Sequence, residues 1–340
     1  MIPQEESIMT IKSNYQALRN TAAGINLNEF HFILKISGSV ATDFLNSVLP
    51  SKIYYLQSYT SLNSVLLNED CLISDVVQLV YVDDFYYWIG SNTQKTLTLD
   101  FLYHEKSNLD VQIEDLSQEM FLYSVEGPYA WKKVGEVFGN EIHGLRIHGA
   151  MPLEVENNTG VVLRSGQSGE YAFRFIFSST AQELILSMLN KNEVLPQATR
   201  SDVILASQET RTPCFNGSVL PGDSPFEQEL RYMIDFSKSE YIYHDKIKQV
   251  SSLIDASVIA MKTSKQDVKA GEEIFYDGLL VGKVLSNGFS PKIGSTIGYL
   301  KLDLKFAHPG ISEFKFSDGT ALETVSSPLI QTLSTVVAME

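Results

Sequence analysis

Asp75 sits in Leu72-Ile-Ser-Asp-Val-Val77, a carboxylate inside an apolar run of strand type. On two-residue alternation it shares a face with Ile73 and Val77, so it points toward a covered surface. A carboxylate there loses hydration and needs a partner or a task. The plainer reading is a hairpin-edge Asp bonded to a turn amide. Glu170 follows Ser165-Gly-Gln-Ser-Gly169. Glycines let a backbone approach a flat ligand, and a carboxylate beyond them can accept two N–H bonds from a heterocycle. A solvated hairpin tip is the alternative. Arg174, two strand positions after Ala172, either lines the same cleft or caps a sheet edge. Glu209 and Arg211 read as a surface ion pair, worth ~0–1 kcal/mol.

Other chemistries find no residues to use. There is no GxSxG, HExxH, Walker A sequence or GxGxxG opening a helix. The histidines (His31, His104, His143, His148, His244 and His308) are scattered, and only His143 and His148 are close. Their spacing suits neither one helix face nor one strand face, so a surface loop is expected and no metal site. Cys71 and Cys214 form no CxxC and are too few for a disulfide framework. Chemistry here rests on carboxylates and hydrogen bonding.

The chain that must position these groups has 340 residues, 44% hydrophobic and 20% charged, enough for two or three domains at ~150 residues each. With 26 basic against 41 acidic residues the net charge is −15, which repels phosphate backbones and argues against nucleic acid as partner. No basic segment followed by an apolar one marks a secretory signal at the start, and no apolar run approaches the roughly 20 residues that span a bilayer. The expectation is a cytoplasmic protein, away from membranes, whose partner is a small molecule.

Alternation and turn residues predict strands at 33–37, 65–67, 71–82, 85–89, 122–125, 160–163 and 173–177. Helical texture falls at 39–49, 96–105, 129–137 and 180–190, and a proline-rich loop at 213–225. After Lys248 strand-like segments alternate with glycine-marked turns, which reads as an all-β domain, a barrel or sandwich. The predicted division is 1–250 and 251–340.

Taken in order, these segments resemble the folate-dependent aminomethyltransferase family, the T-protein of the glycine cleavage system and its relatives. The likeness runs from Tyr15-Gln-Ala-Leu-Arg-Asn-Thr-Ala-Ala-Gly-Ile25 through Leu66-Leu-Asn-Glu-Asp-Cys-Leu-Ile-Ser-Asp75 and Glu126-Gly-Pro-Tyr-Ala130. It continues in Ser165-Gly-Gln-Ser-Gly-Glu-Tyr-Ala-Phe-Arg174, Ser224-Pro-Phe-Glu227 and Lys238-Ser-Glu-Tyr-Ile242, and ends in Gly278-Leu-Leu-Val-Gly-Lys-Val-Leu-Ser-Asn-Gly-Phe-Ser-Pro291.

The resemblance implies an α+β fold, a three-lobed ring of two α+β lobes and a C-terminal β-barrel lobe around a central channel. It implies one-carbon transfer, methyl or methylene, from an amine-type small molecule to tetrahydrofolate. Asp75 takes the catalytic position; Glu170, Tyr171, Arg174 and Glu209 take cofactor-binding positions. The alternative is a catalytically inactive folate- or metabolite-binding or scaffolding member. Several positions depart from the family pattern. Arg174 stands where the family has a second Glu, Ser207 where it has an Arg, Ser74 where it has the first Asp of a pair, and Cys71-Leu72 where it has two glycines. Leu27-Asn-Glu-Phe30 lacks the family's Asp and His, and Phe236-Ser-Lys-Ser-Glu240 lacks the Cys of the iron–sulfur-assembly branch.

Overall fold

The computed structural model describes residues 14–214 and 217–339; the start of the chain, read above for a secretory signal, lies outside them. Helix α1 (residues 14–20) and strand β1 (Ala23–Asn26) open this part of the chain. Strands β2 (His31–Ser37), β3 (Thr60–Leu67), β4 (Ile73–Val82), β5 (Phe85–Ser91) and β6 (Gln112–Asp115) form one antiparallel sheet in the order β3-β4-β5-β2-β6. Helices α2 (Ala41–Val48) and α3 (Lys95–Lys106) cover one of its faces. The second sheet joins β1 to β7 (Met120–Glu126), β10 (Ala172–Ser178), β9 (Asn158–Leu163) and β8 (Ala150–Val155), in that order. Helices α4 (Ala130–Phe138) and α5 (Gln182–Leu189) cover its outer face, and α6 (Arg200–Thr210) follows.

Each sheet is buried on both sides, and alternation divides its side chains between two cores. On β10, Phe173, Phe175 and Phe177 face the helices, while Ile176 faces the other sheet. On β4 and β5, Val77, Leu79 and Trp88 face α2 and α3, while Val80, Val82 and Ile89 meet Ile25, Leu122 and Ile176 between the sheets. The sheets also touch at a bridge between Thr60 and Gly149.

A short helix, α7 (His244–Val250), leads to β11 (Ala256–Thr263), β12 (Glu273–Tyr276), β13 (Leu279–Ser290), β14 (Ser295–Asp303), β15 (Phe314–Phe316) and β16 (Ala321–Val325). These six close into a barrel in the order β11-β14-β13-β12-β15-β16. Two sheet lobes and a barrel are the expected α+β architecture. The alternation pattern missed α6, because that helix buries a polar face: Asp202, Ser207, Gln208 and Glu209 are all buried. Its start is signed by a capping box between Thr199 and Asp202.

Arg19 ties the loop before β10 to α6 and, through Glu209, to the barrel. Its guanidinium, 2% exposed, meets Glu209 of α6 at 2.8 Å and Glu170 at 3.2 Å, and donates to the carbonyls of Ser168 and Ala206 at 2.7 Å. Glu209 also accepts from the Tyr15 hydroxyl on α1 and from Ser290 at the end of β13. Glu170 accepts from the Ser334 amide and hydroxyl near the chain's end, at 2.9 and 2.7 Å. Removing one partner of a buried ion pair leaves an uncompensated charge, at about 3–5 kcal/mol. Arg19→Ala is therefore expected to cost about that much in chemical denaturation. Lys265→Ala, which breaks a partly exposed pair with Glu272 and Asp318, should cost less.

Candidate functional site

Between the two sheets lies a cavity of about 50 Å³. Its polar lining comes from His31 on β2, Asn63 on β3, Gln78 on β4, Ser165 and Gln167 in the loop before β10, and Arg174 on β10. Strand alternation puts Gln78 on the side of Val80, and Arg174 on the side of Ile176, both facing inward. Larger hollows lie elsewhere, about 330 Å³ beside Lys132 and about 270 Å³ between the 210–232 segment and the barrel.

Arg174 is 4% exposed. Its Nη1 donates to Gln78 Oε1, and Gln78 Nε2 donates to Ser165 Oγ at 2.7 Å. Its Nε has no acceptor, and it forms no ion pair among the described residues. Burial lowers its pKa, and the nearby charge of Glu126 opposes that shift. Glu126 is itself engaged by the amides of Gln167 and Ser168, at 3.1 and 2.8 Å, and by the Ser124 hydroxyl. A Cβ on Gly166 would come within 2.8 Å of that carboxylate, so glycine is what allows the loop to wrap it.

His31 is the second inward group. Its Nδ1 lies 3.2 Å from the Gly90 carbonyl, which only accepts, so the proton is on Nδ1. Burial, with the Arg174 charge, pushes its pKa down to about 3 and keeps the ring neutral. Nε2 then offers a lone pair, and no donor meets it. The cavity thus holds one unpartnered buried donor and one unpartnered buried acceptor. The scatter of histidines gave no sign of His31; its inward position beside Ile33 on a strand was the usable signal.

The residues singled out from the sequence lie in different places. Asp75 is fully buried on the helix-covered face, the side of Val77, Leu79 and Phe32, and does not line the cavity. Its carboxyl accepts from the Val76 and Ser91 amides at 2.8 and 2.9 Å, and a Cβ on Gly90 would stand 2.6 Å from Oδ2. Burial pushes its pKa up to about 8, the two amide bonds opposing, so it is mostly protonated at neutral pH. Glu170 and Glu209 are joined through Arg19, away from the cavity lining. Tyr171 binds the tail: its amide donates to Ser334 and its hydroxyl to the Val337 carbonyl.

The expected surface pair of Glu209 with Arg211 is corrected: Glu209 is buried on Arg19, and Arg211 pairs with Glu229 at 2.9 Å. Lys238 is buried on the Leu49 and Ser51 carbonyls just past α2. Burial pushes the Cys214 thiol up to about 11, which leaves it unreactive.

The cavity's chemistry differs from what a pterin edge needs. The pterin's N–H donors call for a carboxylate, and no carboxylate lines this cavity among the described residues. Its volume is also well below the ~300–1,000 Å³ of ordinary cofactor pockets. As built, the residues present do not fit a pterin held in the family's manner.

Comparison with known proteins places the chain. Residues 3–238 match the family model described as the GCVT N-terminal domain. A probable aminomethyltransferase from Thermococcus kodakarensis is 22% identical over 337 residues, covering 89% of this chain and 84% of that protein. An aminomethyltransferase from Thermotoga sp. (strain RQ2) is 21% identical over 270 residues, covering 77% and 73%. The crystal structure of glycine cleavage system aminomethyltransferase T from Bartonella henselae superposes with a TM-score of 0.86 at 17% identity, covering 95% of this chain and 90% of that one.

The buried state of Asp75 sets a pH dependence. In the folded chain it keeps its proton up to about 8; unfolded, it releases it near the ordinary ~3.9. Between those values the unfolded chain binds fewer protons, so this group's contribution to stability falls as pH rises, by up to about 1.4 kcal/mol per unit. His31 acts oppositely: stability is lost as pH falls from ~6.5 toward about 3. Asp75→Asn removes only the first effect. Denaturant titrations at pH 5 and pH 8 should show wild type losing ground to the variant as pH rises; a constant difference would mean Asp75 is ionised throughout.

Proposed function

This chain belongs to the folate-dependent aminomethyltransferase family, and from that premise we propose that it is a metabolite-binding member whose central cavity takes a small molecule directly, without holding a pterin in the family's manner. The observation that carries this reading is Arg174. It occupies the position where the family has a pterin-binding carboxylate, and a guanidinium offers five donors and no acceptor. Its donors face the cavity, its neighbour Gln78 is neutral, and the acids of the adjacent segments are held by Arg19 and by backbone amides. The residue in the family's catalytic position, Asp75, stands on the opposite face of β4, sealed from this cavity.

The retained Asp75 favours a second reading: one-carbon transfer from an amine-type small molecule to tetrahydrofolate, with the ligand recognised by other groups. The chain's relatives named above are aminomethyltransferases, which supports an enzyme of this class.

Calorimetric titration with tetrahydrofolate separates the two. Metabolite binding without a pterin predicts affinity weaker than micromolar and no folate-dependent release of a one-carbon unit from small amines. Low-micromolar binding, with turnover that falls by an order of magnitude or more in Asp75→Asn, would establish the second reading instead.

A further inference from the structure

We propose that the cavity between the sheets is a subsite for a small carboxylate that bears a hydroxyl or amine beside the carboxyl group, the carboxylate bound at Arg174 Nε and the neighbouring O–H or N–H donated to His31 Nε2. This rests on the reading of that cavity as a ligand site, and adds the ligand's chemical class. The geometry supplies two groups of opposite polarity. Arg174 is a permanently charged group, 4% exposed, with its Nε buried and unpartnered and no ion pair among the described residues. His31 lines the same cavity, as well as a smaller hollow beside Arg200, and its Nε2 is a buried acceptor without a donor. Buried polar atoms ordinarily have partners, and a buried cation without a counter-ion is costly. A carboxylate answers the first need and its adjacent donor the second.

The surroundings narrow the class. At about 50 Å³ the cavity admits a group of a few non-hydrogen atoms. Glu126 lies close enough to act on Arg174 electrostatically, yet its oxygens are taken by Gln167, Ser168 and Ser124. It therefore leaves Arg174 unpaired while repelling a second negative charge, which disfavours the dianion of phosphate against a monoanion. The nonpolar walls, Val76, Ile89 and Met233, keep the site in a low dielectric, where a charge-assisted hydrogen bond gains strength.

The test uses the full chain without folate, in low-salt buffer, with acetate, glycolate, acetamide and inorganic phosphate as probes, read by thermal shift and calorimetry. Glycolate is expected to bind more tightly than acetate, and acetate at least about tenfold more tightly than the neutral acetamide. Gln78→Glu places a carboxylate against Arg174 Nη1, where Gln78 now accepts. That variant should fold with a raised melting temperature and lose the response to glycolate. His31→Phe should keep acetate binding and lose the preference for glycolate.

Acetamide binding as well as acetate, or an undiminished glycolate response in Gln78→Glu, would overturn the anion assignment while leaving a ligand cavity in place. Equal binding of glycolate and acetate by wild type would remove His31 from it, and tighter phosphate binding would replace the carboxylate class. Tetrahydrofolate binding with turnover, alongside normal glycolate binding, would refute only the pterin-free reading above.

Discussion

One buried guanidinium decides what the rest of the acidic residues near the centre can do. Arg19 lies between Glu170 and Glu209, one positive charge between two negative ones. The surplus negative charge is met by hydroxyls from Tyr15, Ser290 and Ser334 and by the Ser334 amide. Those donors come from the first helix, the barrel and the end of the chain, so satisfying the two carboxylates brings all of these segments to one point. Burial and the Glu209 charge push the Tyr15 phenol up, which keeps it a donor. Each carboxylate is a poor candidate for ligand capture, since a ligand would have to displace partners that hold the lobes in register.

A second constraint is the alternation of β4 and β10. Both strands are buried on two faces, so every side chain must go either toward the helices or toward the opposite sheet. Asp75 and Gln78 are an odd number of positions apart and fall on opposite faces. Arg174 lies between Phe173 and Phe175, which fill the helix-side core, and is therefore committed to the space between sheets. The cavity is where inward positions hold long polar side chains instead of Ile or Val. Its polarity follows from strand register, with no loop rearrangement required.

Most of the scaffold was legible in the sequence because it is built from strands with strong alternation and turns marked by glycine or acidic pairs. The barrel and the meander of β3, β4 and β5 are of this kind. Helix α6 was not, since its buried face is polar and its partners, Arg19 and Ser290, are distant in sequence. The same reason hid the roles of Glu170 and Glu209: a carboxylate's spacing says nothing of a guanidinium 151 or 190 positions away. The departure at Arg174 was visible through the resemblance, while the residues alone left open whether it lines a cleft or caps a sheet edge. Its partner was not, because Gln78 is a neutral residue on another strand, and only the fold places it opposite.

The identity of that partner carries a further consequence. A glutamate at position 78 would neutralise Arg174 inside the protein. An aliphatic residue there would leave another of its donors bare in a low-dielectric space. Glutamine does neither: its carbonyl orients the guanidinium, its amide is anchored on Ser165, and the positive charge remains. Glu126 acts in the same sense, stabilising that charge from a distance while its own oxygens are held by the 166–168 loop. The result is a cation whose orientation is fixed and whose charge has no counter-ion in contact with it. The polarity of the cavity is thus set at single strand positions, while the sheets and barrel keep the arrangement they share with the Bartonella henselae structure.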